Sequence, residues 1–208
     1  MTTAAQLRPP DARAKLLDAA VKVIRKQGFT ATSVDDLCKA ARVTKGAFFH
    51  HFESKEALGV AAANYWSATT SALFESAPFH APRDPLHRVL AYVDFRIGLL
   101  NGPVADVTCL VGTMVQEVYE SSPHIAEACD ASISGHARTL EADIKSAMQL
   151  YKVKGNWSAA SLAIHTQAVL QGAFILAKAK GDTAIAIDSA RHLRRYIELL
   201  FATKGSKA

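Results

Sequence analysis

Sixteen residues, VTKGAFFHHFESKEAL from Val43 to Leu58, gather three phenylalanines, two histidines and two lysines. Placed on a helix at 100° per residue, Phe48 and Phe52 fall on one side and suit a core. Gly46 and His50 fall opposite, flanked by Ala47 and Phe49, with Lys45 at the edge. This outward face has no bulky acid, and Gly46 permits close backbone approach. Lys55 stands in the first turn of the next helix if Ser54 caps it. A cation there opposes the helix dipole at a cost of a few tenths of a kcal/mol. An anion held by the ammonium and the free N–H groups would compensate; Glu56 beside it offers partial compensation within the chain. His50 and His51 point about 100° apart and cannot share one metal ion, and no Cys or acid stands nearby at ligand spacing. No metal and no cofactor are therefore expected.

These residues need a frame, and the chain supplies one. Residues 1–55 hold ten Lys/Arg against five Asp/Glu, whereas the remaining 153 residues hold fourteen of each. The net charge of +5 thus belongs to the first quarter, which points to an acidic partner for that part alone, nucleic acid first. An outward helix face of this kind fits a major groove about 12 Å wide. No apolar run of 18 or more residues occurs, so no membrane span is expected. No apolar stretch precedes Pro9-Pro10, so no secretory signal is expected. Cys38, Cys109 and Cys129 are odd in number and far apart, which fits reduced thiols in the cytoplasm.

The elements read as helices throughout, an all-α chain without strand or hairpin signals. The first helix follows Pro9-Pro10, with Asp11 as N-cap, and stops at Gly28. Ser33-Val34-Asp35-Asp36 has capping-box spacing and starts a second helix ending near Arg42. Thr44 caps a third, to about His51. The tight connection Ala41-Arg42-Val43 makes the pair a helix-turn-helix. A fourth helix runs from Ser54 to about Ser76. Further helices follow at Leu86–Leu100, Cys109–Glu120, Pro123–Lys152, Ser158–Lys180 and Thr183–Phe201. Residues 1–10 and 203–208 read as disordered.

The stretch Gly28–Leu58, GFTATSVDDLCKAARVTKGAFFHHFESKEAL, resembles the DNA-binding head of the TetR family of transcriptional regulators. The resemblance extends from Ala12 to Leu58. It implies about nine helices: a head over residues 1–54, and a ligand-binding and dimerisation body over residues 55–208. It further implies a homodimer on an inverted-repeat, double-stranded DNA operator, released by a small-molecule effector. Residue by residue, it assigns phosphate contacts to Ser33, Thr44 and Lys55, and base contacts to Lys45, Gly46, Ala47 and His50. Phe49 stands where the family usually has Tyr, leaving apolar contact in place of a hydroxyl bond. Arg42 stands where Gly is usual, at a cost of about 1 kcal/mol if the backbone there is left-handed.

In the body, Ala186, Ala190, Leu193, Ile197 and Leu200 recur at spacings of three and four. Leu162, Val169, Ala173, Leu176 and Ala177 form a similar stripe on the preceding helix. With the resemblance, Val169, Ala173, Leu176, Ala190, Leu193, Ile197 and Leu200 are expected in a four-helix dimer seam; burial inside one subunit is the other reading. Trp66, Phe95, Met114, Tyr119, His136, Gln171 and Phe174 are candidates for a ligand cavity, although aromatic residues at helical spacing also suit a plain core. Cys109-Leu-Val-Gly-Thr-Met-Val-Gln-Glu117 resembles a segment in which some such regulators carry an electrophile-sensing thiol, and a buried inert thiol is the alternative. Two other classes compete: an all-helical enzyme and a constitutive DNA binder. The sequence has no HExxH, no Glu-x-x-His pair, no Gly-x-Ser-x-Gly and no phosphate loop.

Overall fold

The computed structural model describes residues 11–202; the two ends, expected to be disordered, lie outside the described residues. The described chain forms ten α-helices: α1 (Ala12–Gln27), α2 (Val34–Ala41), α3 (Lys45–His51), α4 (Lys55–Glu75), α5 (Pro85–Gly98), α6 (Val104–Val107), α7 (Leu110–Val118), α8 (Pro123–Leu150), α9 (Ala159–Lys180) and α10 (Ala184–Phe201). The count exceeds the expected nine through α6, one turn just after Asn101-Gly102-Pro103.

Local chemistry sets the ends of the first helices. Asp11 accepts the Ala14 N–H at 2.7 Å. Ser33 and Asp36 cap each other reciprocally, so the shorter acid still closes the box. Gly28 ends α1 at φ +90°, a conformation that favours glycine.

Two cores result. One joins Leu16, Ile24, Leu37, Phe48, Phe52 and Leu58 of the first four helices to Leu110, Met114 and Val118 of α7 and Ile125 of α8. The first three helices therefore do not close on themselves; α7 and the start of α8 complete their core. The other core lies among α5, α8, α9 and α10, around Tyr92, Val93, Ile144, Leu170 and Ile197. Arg88 fastens α5 to α8 through Asp143 at 2.6 and 2.9 Å.

The second core corrects the expected seam. Ala173, Ala190, Leu193 and Ile197 are at most 3% exposed within a single chain. Val169 and Leu200 pack partly buried against the same core. Of the seven seam residues only Leu176 stays substantially open, at 47%. The small residues let α9 and α10 approach each other within the subunit instead. The outer faces of these helices expose a different set: Ile164, Ile175 and Leu176 on α9, Tyr196 and Leu199 on α10. Among the described residues, α9 is the one helix long and apolar enough to cross a membrane by length and composition. It packs against α8 and α10, with Leu162, Thr166, Leu170 and Phe174 buried.

Candidate nucleic-acid interface and effector cavity

The helix-turn-helix has the geometry its caps dictate. The Thr44 hydroxyl accepts the Ala47 N–H at 3.1 Å and starts α3. Phe48 and Phe52 point inward, ring centres 5.8 Å apart. Lys45, Gly46 and His50 lie exposed, Ala47 is half-buried at the edge, and Phe49 is 55% exposed. The Phe49 ring meets the Phe48 ring edge-on, centres 5.1 Å apart. The Lys45 ammonium bonds Asp35 of α2 at 2.8 Å, and that hydrogen bond and charge raise its pKa. Both groups are solvated, so the pair contributes little to stability. Arg42 sits at φ 56°, ψ 47°, the left-handed conformation that costs a non-glycine residue about 1–2 kcal/mol.

Lys55 departs from its expected role. Its ammonium donates to the carbonyls of Phe29 (3.1 Å), Thr30 (3.4 Å) and Thr32 (3.0 Å) and lies 4.6 Å from the Phe29 ring centre. The mismatch with the helix dipole is compensated inside the chain, by the carbonyls of the α1–α2 turn. In this geometry Lys55 braces the turn that carries Ser33 rather than pointing at an external anion.

Helix α4 is joined to the head by the chain, by Lys55 and by Tyr65, whose hydroxyl donates to Asp18 of α1 at 2.6 Å; polar bridges from α6 and α7 add to these. Arg25 of α1 donates Nε to the Ala105 carbonyl of α6 at 2.8 Å. Glu117 of α7 accepts the backbone N–H groups of Phe29 (3.2 Å) and Thr30 (2.7 Å).

A cavity of about 360 Å³ lies between these bridges and the second core. Of the expected wall residues it takes Trp66, Cys109, His136, Gln171 and Phe174. Phe95 is absent from the wall; its ring packs edge-on against Phe74 and tilted against Phe79, centres 5.5 and 5.6 Å apart. Met114 is fully buried in the core beneath the head, and Tyr119 is 67% exposed. Helical periodicity places a residue on a face but not against a particular neighbour.

Arg25, Arg96, Thr108 and Gln167 also line the cavity, although, Arg96 apart, their spacing does not single them out. Arg25 resembles an ordinary basic residue of a last helical turn. Its guanidinium carbon lies 5.2 Å from the Trp66 ring centre, and burial lowers its pKa while nearby Asp106 opposes the shift. Arg96 left a signal: it follows Tyr92 by four positions, so a cation shares the buried face of α5. Its guanidinium carbon is 5.3 Å from the Phe74 ring centre, 5.7 Å from Phe174 and 6.0 Å from Tyr92. The Thr108 hydroxyl is buried without a hydrogen-bond partner.

A short chain of polar groups runs along one wall. Gln167 donates to the Tyr92 hydroxyl at 3.1 Å, and the Tyr92 oxygen lies 2.8 Å from His136 Nε2. The Tyr92–His136 bond runs in either direction according to the imidazole tautomer, because the phenol oxygen can accept a second bond beside that from Gln167. Burial and the nearby Arg96 charge push the His136 pKa down to about 4. Cys109 caps α7, its sulfur 3.5 Å from the Gly112 N–H. Cys129 is deeply buried and its thiol is pushed up to about 12.

A helix-turn-helix with an outward second helix, packed on a helical body that carries a cavity, defines a class of DNA-associated helical regulators. The chain belongs to the TetR family of bacterial regulatory proteins. The family's N-terminal model, "Bacterial regulatory proteins, tetR family", matches residues 16–62, and the model of a tetracyclin repressor-like C-terminal domain matches residues 85–193. The chain is 29% identical over 113 residues to the transcriptional regulator AcuR of Cereibacter sphaeroides, covering 51% of this chain and 49% of that protein. It is 30% identical over 106 residues to the transcriptional repressor DhaR of a Mycobacterium species, covering 51% and 52%. The matches thus span about half the length of these curated relatives. The crystal structure of a TetR regulatory protein from Rhodobacter sphaeroides shares the fold with a TM-score of 0.78 at 22% identity, covering 89% of this chain and 98% of that one.

Proposed function

We propose that the protein is a ligand-responsive transcriptional repressor of the cytoplasm. As a homodimer it binds an inverted-repeat DNA operator, and a small-molecule effector in the cavity releases it. The observation that carries this reading is Arg25: a residue of the head's first helix forms part of the cavity wall. A ligand there meets head and body at once and has differential contacts with two head orientations, which is what coupling requires. Gly46, Ala47, Phe49 and His50 are the base-facing side chains in this proposal, with Lys45 at the rim and Ser33 and Thr44 toward phosphate. Lys55 acts by bracing the turn beside Ser33. Residues 1–54 and 55–208 serve as head and body, although the head borrows α7 for its core.

The dimer surface in this proposal is the outer face of α9 and α10, where Ile164, Ile175, Leu176, Tyr196 and Leu199 are exposed. A two-fold axis there sets two α3 helices about 34–36 Å apart, one DNA turn.

The test is selection of duplexes from a random library by the full chain, followed by titration of the enriched site. Enriched sites are expected to contain two inverted half-sites, with affinity falling steeply as salt rises. His50→Ala is expected to cost about 1–3 kcal/mol on the selected site and to relax its base preference. Recovery of no common sequence, or an affinity flat with salt, overturns the reading.

A further inference from the structure

We infer that the cavity takes a compact organic monocarboxylate with an apolar or aromatic body. The inference rests on the effector reading of that cavity. Its first observation is the isolation of the Arg96 charge. Among the described residues, Arg96 forms no ion pair and donates no hydrogen bond. Its neighbour Asp94 is already engaged by Arg194 at 2.9 Å. His136 on the same wall carries no negative charge in either protonation state. Arg96 therefore faces three aromatic rings with five unused N–H donors. Aromatic faces offset part of the desolvation cost of a cation but offer no acceptor in the guanidinium plane. Arg96 is half-buried, and its donors are free to fork onto an acceptor brought by a ligand.

The second observation is independent. Thr108 is 1% exposed, lines the same cavity and has no partner for its hydroxyl. Buried hydroxyls almost always find one. The Gln171 carboxamide stands on the same wall. The remaining surface is dominated by Trp66, Phe74, Leu73, Leu100 and Phe174.

Charge and size narrow the ligand. One planar guanidinium matches one carboxylate in a two-bond fork. A phosphate dianion would bring a second charge, and the other cation on the wall, Arg25, already has Asp106 beside it. A cavity of about 360 Å³ lies at the small end of ligand sites, which run to about 1,000 Å³. The apolar walls then take the rest of the molecule, and Gln171 or Thr108 takes a carboxylate oxygen or a further polar substituent.

The test compares matched pairs on the full chain without DNA: benzoate, 2-naphthoate and octanoate, each against its primary amide, by titration calorimetry. At least one carboxylate is expected to bind about tenfold or more tightly than its amide, as a charge-assisted fork predicts. Arg96→Met is expected to abolish that preference, Arg96→Lys to retain part of it, and Thr108→Val to weaken the carboxylate several-fold while leaving the melting temperature unchanged or higher. Amides that bind as well as acids throughout, absence of binding by any pair, or a preference that survives Arg96→Met overturns the proposal. If Arg96→Met does not fold, the lysine and valine variants decide. A carboxylate that binds through Arg96 yet leaves DNA affinity unchanged would sink the repressor reading while sparing this one. A neutral ligand that releases DNA from the same cavity would do the reverse.

Discussion

The Arg25 Nε donates to the Ala105 carbonyl at 2.8 Å, tying the first helix of the head to α6, whose Asp106 and Val107 line the cavity. A few residues away, Glu117 holds the amides of Phe29 and Thr30. In the proposed function, movement of α6 or α7 around an effector would reach α1 and the turn before α2 through these bonds.

Glu117 offers the cleaner test of this coupling, since it does not line the cavity. Glu117→Leu removes two bonds from amides to a charged acceptor, at a cost of about 1.5–3 kcal/mol. Its effect on effector-driven DNA release should exceed its effect on DNA affinity without ligand. Denaturant melts and operator titrations measure the two parts; release as efficient as in the parent protein removes Glu117 from the coupling path.

Lys55→Met is expected to lower stability by about 1–3 kcal/mol, because three carbonyls lose a charged donor. Its loss of DNA affinity should be accompanied by this destabilisation. A variant as stable as the parent but weaker on all DNA would restore Lys55 to direct phosphate contact.

Leu199 and Leu193 separate assembly from folding. Leu199 is 73% exposed and Leu193 only 2%, although they are six residues apart on one helix. Leu199→Glu is expected to yield a folded monomer by light scattering. Leu193→Glu is expected to unfold the body, because burying an unpaired carboxylate costs several kcal/mol. A folded monomer from Leu193→Glu would return the seam to the inner stripe.

Acid should weaken the fold through His136. Its folded pKa is about 4 against an ordinary 6.5, so below pH 6.5 the unfolded chain binds a proton that the folded chain refuses. Stability from this residue is complete above pH 6.5 and declines as pH falls toward 4. Melting temperatures of the parent and of His136→Gln, followed from pH 7 to 4.5, should converge or cross in that window. Parallel curves would show that His136 takes its proton without cost.

The sequence by itself determined the head. Its caps, the Phe48–Phe52 pair and the outward set of Gly46, His50 and Phe49 depend on contacts between near neighbours, and 100° per residue locates them. The helical class and most helix bounds of the body follow from the same local rules. Tertiary structure alone decided which apolar stripe of α10 turns inward. The helix carries Leu193 and Ile197 on one side and Tyr196 and Leu199 on another, and periodicity ranks both as buryable. It also decided the fate of Lys55, whose carbonyl partners lie 23 to 26 residues earlier, and brought Arg25 to Ala105 across 80 positions. The cavity depends on such distant meetings throughout: Phe95 packs edge-on against Phe74 and stays off the wall, and Arg96 lines the cavity without an ion-pair partner among the described residues. Propensity and spacing report the energy of a residue with its own turn of helix, whereas these outcomes depend on contacts between helices that only the packed chain brings together.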